Sequence, residues 1–126
     1  MILRIRRTIP ASIDDVWRAL TDPLLVTAWA DVTPVRLAPN YPMPGEHARW
    51  WDHGVLLHDE ILDVQPARRL YSRLRRGPYI VIEDYRLRAR GARTTIVDAE
   101  WRGHPALVVG NDAAMDRLSA TCRARS

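Results

Sequence analysis

Between Val55 and Arg102 apolar and polar residues alternate in four consecutive runs, at 55–64, 69–75, 79–90 and 93–102. The runs are separated by Gln65-Pro66-Ala67, Arg76-Gly77-Pro78 and Arg90-Gly91-Ala92, residue types that turn a chain. Alternation with a period of two belongs to strands that bury one face and wet the other, so this stretch predicts an antiparallel meander. Leu70 and Leu74 share a parity in the second run. Val81, Tyr85 and Leu87 do so in the third, and Val97, Ala99 and Trp101 in the fourth. In the first run Leu56, Leu62 and Val64 are read as the inward set. Ile80, Ile82 and Ile96 interrupt the polar face.

The same pattern extends to both sides. Residues 2–9 alternate as a strand that Pro10 ends. Ser12 with Asp15 reads as a helix cap, followed by Ile13, Val16, Trp17 and Leu20 at helical spacing. Asp22-Pro23 predicts a second short helix carrying Leu24, Leu25, Ala28 and Trp29. Residues 32–38 and 46–52 read as strands, the former confined to an edge by Pro34, with an irregular proline-rich loop at 39–45 between them. The tail predicts a helix beginning at Pro105 or, after a break at Gly110, near Asn111. Ala114, Met115, Leu118 and Cys122 form its apolar stripe.

The expected fold is therefore α+β: a curved, seven-stranded antiparallel sheet gripping a C-terminal helix, with two short helices between strands 1 and 2. It is expected to be a single domain over 1–126. A curved sheet closed over one helix leaves space between them, so an internal apolar pocket is expected.

Polar residues on the inward parity then become the candidates for chemistry. Read from the pattern, these are His58, Glu60, Ser72, Glu83 and Tyr85. A carboxylate facing a core is costly unless it is paired or has a task. Glu60 is the candidate base or acid, with His58 or Tyr85 orienting a substrate. Glu83 and Ser72 are candidate ligand contacts, and Trp51, Trp101 and Met115 candidate apolar walls. The plain alternatives are that Glu60 pairs with an arginine such as Arg49 or Arg73, and that Tyr85 only fills the core. Of Trp50 and Trp51 only one can face inward.

Composition narrows the rest. All 19 cations are arginines, yet the formal net charge is only +4, and acids share the outward strand faces. An ion-paired outer surface is therefore expected rather than a nucleic-acid groove. The histidines at 47, 53, 58 and 104 have no zinc-site spacing, so neither a metal nor another cofactor is expected. No apolar run nears the ~20 residues of a membrane span, and the N-terminus lacks a signal's apolar core. With a single cysteine, Cys122, a reducing cytoplasm is expected. Exposed strand edges leave pairing into a homodimer open.

Ile9–Ser12, Val16–Pro23, Trp29, Pro44-Gly45, Glu60–Leu70 and the 91–94 turn stand in an order specific to one kind of fold. Together they resemble the START-like superfamily of polyketide cyclases/dehydrases and lipid-transport proteins (SRPBCC), near its branch of heat-shock-protein ATPase activators. The resemblance implies a helix-grip fold whose pocket takes a small hydrophobic molecule, aromatic or polyketide-like. It also implies, for an enzyme of this kind, cofactor-free cyclisation, dehydration or isomerisation. The same resemblance admits a non-catalytic lipid or small-molecule carrier, and a cochaperone-like interaction module.

Overall fold

A computed structural model describes residues 1–125. The order of elements is β1 (Ile2–Ile9), α1 (Ile13–Thr21), α2 (Pro23–Ala30), β2 (Thr33–Leu37), β3 (His47–Asp52), β4 (Val55–Gln65), β5 (Arg69–Arg76), β6 (Tyr79–Gly91), β7 (Thr94–Gly103), α3 (Pro105–Val108) and α4 (Asn111–Arg125). The strands form one antiparallel sheet in the order β1-β7-β6-β5-β4-β3-β2, with β2, the strand holding Pro34, at an edge as expected. The sheet is the seven-stranded antiparallel arrangement that the alternation predicts, and with the helices against one face it is the helix-grip fold that the resemblance implies.

Local chemistry explains the helix boundaries. Ser12 accepts a hydrogen bond from the Asp15 amide (3.1 Å), and Asp22 accepts one from the Leu24 amide (3.0 Å) with Pro23 in the first turn of α2. At the C-terminus both candidate starts are used. Pro105 opens α3, Gly110 turns the chain at a φ of 96°, and Asn111 opens α4. The Asn111 side chain donates back to the Leu107 and Val108 carbonyls (2.9 Å each), so it closes α3 while beginning α4.

The inner face of the sheet packs on α1, α2 and α4. Ile9, Val16, Val97, Trp101, Met115, Leu118 and Cys122 are all essentially inaccessible. Three polar contacts hold the helices in place. The Trp29 indole donates to the Ala19 carbonyl (2.7 Å), Arg117 Nε donates to the Trp29 carbonyl (2.8 Å), and Arg7 reaches Asp112 and Asp116 on α4. At the far end of the sheet Gly103 lies against β6. A Cβ there would sit 2.2 Å from the Ile80 carbonyl oxygen, so only glycine fits.

One strand departs from the reading of its sequence. Ladder pairing shifts between Ile61 and Asp63, leaving Leu62 as an extra residue in β4. Such a bulge reverses which parity faces the core. Val64, beyond it, packs against the core as expected, but before it the inward residues are Leu57 (6% exposed), Asp59 and Ile61 (1% exposed). The expected inward placement of His58 and Glu60 is thereby corrected: both face the outer side of the sheet. Leu62 is correspondingly exposed.

Candidate functional site

Between the sheet and the helices lies a cavity of about 310 Å³, bounded by β3 to β6 and by α2, α3 and the start of α4. Its size falls at the small end of ligand pockets. Leu20, Val26, Leu57, Leu70, Leu74 and Leu107 supply aliphatic wall, and Trp29, Tyr41, Trp50 and Tyr85 supply aromatic wall. Asp31, Asp52, Arg76, Asn111 and Arg117 are the more polar lining residues. Set into this lining are Asp59 from β4, Ser72 from β5 and Glu83 from β6.

The aromatic rings are mutually fixed. Tyr41 meets Trp50 edge-on at 6.1 Å. Tyr85 packs edge-on between Trp29 (6.3 Å) and Trp101 (5.8 Å). These are favourable quadrupole geometries, so the rings form stiff walls.

The two carboxyls differ in surroundings. Asp59 Oδ2 accepts from the Tyr41 hydroxyl (2.9 Å) and, more weakly, from the Trp50 indole (3.4 Å). Its Oδ1 is buried and has no partner among the described residues. Burial pushes the Asp59 carboxyl up to about 6, against the opposing pull of its two donors. Glu83 faces Ser72 across the β5–β6 ladder and Trp101 across the β6–β7 ladder. Its side chain is half-buried and lines the cavity. Burial pushes Glu83 up to about 8, the charge of Asp59 adds to the rise, and the Trp101 N–H partly offsets it without forming a well-aligned hydrogen bond. Tyr85 is raised well above its ordinary value, by burial first and by Glu83 second. Both carboxyls are thus raised, and Glu83 holds its proton to higher pH than Asp59 does. By strand spacing and a two-residue stagger their backbones stand roughly 12 Å apart, with both side chains converging inward.

The residues singled out from sequence divide cleanly. Glu83, Tyr85 and Ser72 lie on the inner face and line the cavity. Glu60 and His58 do not. Glu60 pairs with Arg73 and lies 3.7 Å from His47 on the outer face, which is the plain alternative weighed for it. His58 sits beside Arg49 and Arg75 in the ladder. Trp51 is corrected too: β3 turns Ala48 and Trp50 inward, leaving Trp51 47% exposed. Trp101 and Met115 are fully buried but belong to the solid core behind the cavity wall. The residue missed was Asp59. The alternation Leu57-Asp59-Ile61 signals it, but it becomes visible only once the bulge at Leu62 is known. Among the described residues no group of histidine, cysteine and acidic side chains could hold a metal ion.

A concave sheet closed by helices over an acid-bearing apolar cavity defines a helix-grip, ligand-pocket class of protein. Residues 2–123 match the family described as polyketide cyclase / dehydrase and lipid transport, and the chain belongs to that family. Solved structures share the fold. Protein MLL2253 from Mesorhizobium loti superposes with a TM-score of 0.83 at 19% identity, covering 100% of this chain and 99% of that one. CalU16 from Micromonospora echinospora gives 0.75 at 24% identity, covering 96% and 75%. DynU16, from the dynemicin biosynthetic locus, gives 0.75 at 26% identity, covering 94% of this chain but 46% of DynU16. No curated protein sequence matches this one. No helix among the described residues is long and apolar enough to cross a membrane.

Proposed function

We propose that the chain binds a small, largely apolar carbonyl compound, aromatic or polyketide-like, and catalyses cofactor-free proton transfer on it. The observation that carries this reading is that two carboxyls line one apolar cavity in unlike surroundings, Asp59 held by the Tyr41 and Trp50 donors and Glu83 raised further by burial. A general base and a general acid must differ in this way to work at one pH. Glu83 donates its proton towards the ligand's carbonyl oxygen. Asp59 takes a proton from the adjacent carbon, and the C–H electron pair becomes the new C=C bond as the carbonyl π electrons move to oxygen. The product is an enol, from which ring closure, loss of a β-hydroxyl as water, or isomerisation can proceed. Tyr85 and Ser72 flank the acid as further hydrogen-bonding groups, and Trp29 and Trp50 hold a flat ligand between them. The family's description and the biosynthetic setting of DynU16 support this ligand class.

The test is exchange of α-deuterons from a bicyclic aryl ketone incubated with the protein. Catalysed exchange that falls at least tenfold in both Asp59→Asn and Glu83→Gln, with ketone binding retained, supports the reading. Binding without exchange identifies a non-catalytic carrier. Neither binding nor exchange shifts the function to the surface, as in an interaction module.

A further inference from the structure

The outer face of the sheet carries its charges in two different ways. Over β1, β7, β6 and β5 several arginines meet an acid: Arg4 with Glu100 (2.8 Å), Arg6 with Asp98 (2.6 Å) and Arg69 with Asp84 (3.0 Å). Over β2 to β5 one ladder row does not. Arg36 lies opposite Arg49, Arg49 opposite His58, and His58 opposite Arg75. None of these three arginines has an acid within ion-pair distance among the described residues. Like charges directly opposite one another destabilise a sheet, so this row works against the fold that carries it. The row ends at Ile80, opposite Arg75 and 46% exposed, and runs beside Trp51, 47% exposed on the same face of β3.

We propose that this row is a docking surface for an acidic, amphipathic segment of a partner protein. Its carboxylates would pair with Arg36, Arg49 and Arg75, and its apolar side chains would rest on Trp51 and Ile80. Guanidinium forks suit carboxylates in this geometry. The row spans three strand intervals, roughly 14 Å, and is bounded by apolar Ile80 at one end and the sheet edge at the other. The neighbouring row carries Glu60. A short segment mixing acids with apolar anchors fits those limits, whereas a long polyphosphate would run past them. Exposed tryptophan and arginine are the residue types that dominate such interfaces.

His58 reports on occupancy. It is pushed below its usual value by partial burial first, then by Arg49, Arg75 and His47, while Glu60 on its own strand is engaged by Arg73. An anion laid over the row neutralises the two arginines and raises the His58 midpoint.

The test uses the full chain and a synthetic peptide of repeating Glu and Leu, with oligothymidylate and phosphatidylserine vesicles as rival probes. The expected result is peptide binding with an upward shift of the His58 NMR midpoint and perturbation of the Trp51 indole signal, assigned through Trp51→Phe. Affinity should fall at least tenfold in Arg49→Glu/Arg75→Glu and also in the milder Arg49→Gln/Arg75→Gln, each checked for an unchanged amide spectrum elsewhere. The proposal is overturned if the peptide does not bind, if binding survives in the folded variants, or if oligothymidylate or vesicles bind more tightly than the peptide. The cavity plays no part in this readout, so the ketone-exchange result stands or falls separately.

Discussion

Asp59 and Glu83 reach one cavity from β4 and β6, on either side of β5, and burial first, with the charge on Asp59 adding to it, holds the proton on Glu83. Two acids in one apolar space cannot both ionise cheaply, so the pair loses its protons in two separate steps. Around them the fold supplies stiffness: the aromatic rings are locked edge-on, and Tyr41 fixes the carboxylate that ionises first.

Activity should follow a bell-shaped pH profile. The base limb rises as Asp59 ionises near 6, and the acid limb falls as Glu83 loses its proton near 8. Deuterium exchange measured from pH 5 to 9 should peak near neutrality. Asp59→Asn should abolish the rise and Glu83→Gln the fall, each with a large loss of rate.

Stability should fall as pH rises through the same window. Both acids have folded values above their unfolded ones, so the folded state holds extra protons between about 4 and 8. Their contribution is fully present below the unfolded value, lost as pH climbs, and exhausted once Glu83 ionises. For Glu83 alone the change is on the order of 5 kcal/mol. Urea denaturation of Glu83→Gln should show most of this slope removed, with a variant as stable as the parent or more so at pH 8.

Adjacent tryptophans should behave as opposites. Trp50 is 3% exposed and forms cavity wall, so Trp50→Ala should cost about 3–5 kcal/mol. Trp51→Ala, on the outer face, should stay within about 0.5 kcal/mol by thermal denaturation.

Gly103→Ala should destabilise through backbone alone. The added methyl would meet the Ile80 carbonyl oxygen at 2.2 Å and force β6 and β7 apart. A loss of roughly 1–3 kcal/mol is expected in chemical denaturation.

Arg49→Thr should be neutral or slightly stabilising. It removes one member of an unneutralised row and replaces it with a good strand former, for a gain of a few tenths of a kcal/mol. A clear loss in melting temperature would show that Arg49 has a structural task instead.

The architecture was legible because its signals are redundant: alternation in β5, β6 and β7, caps at Ser12 and Asp22, and prolines where they end or open elements. Glu83, Tyr85 and Ser72 followed, since those strands run without interruption past them. Asp59 did not, because His58-Asp59-Glu60 offers three polar residues in succession. The apolar residues on either side of Leu62 imply opposite phases for β4. Periodicity assumes an unbroken ladder, and a bulge breaks it without a glycine to mark the place. Trp50 against Trp51 had the same character, for in so short a strand only Ala48 sets the phase.

The protonation state of Glu83 is the point from which the functional account follows, and difference infrared spectroscopy of carboxyl groups reads it directly. The account predicts one protonated carboxylic acid at pH 7 that titrates near 8, vanishes in Glu83→Gln, and shifts to lower pH in Asp59→Asn. A spectrum in which every carboxyl is already ionised by pH 6 would contradict it.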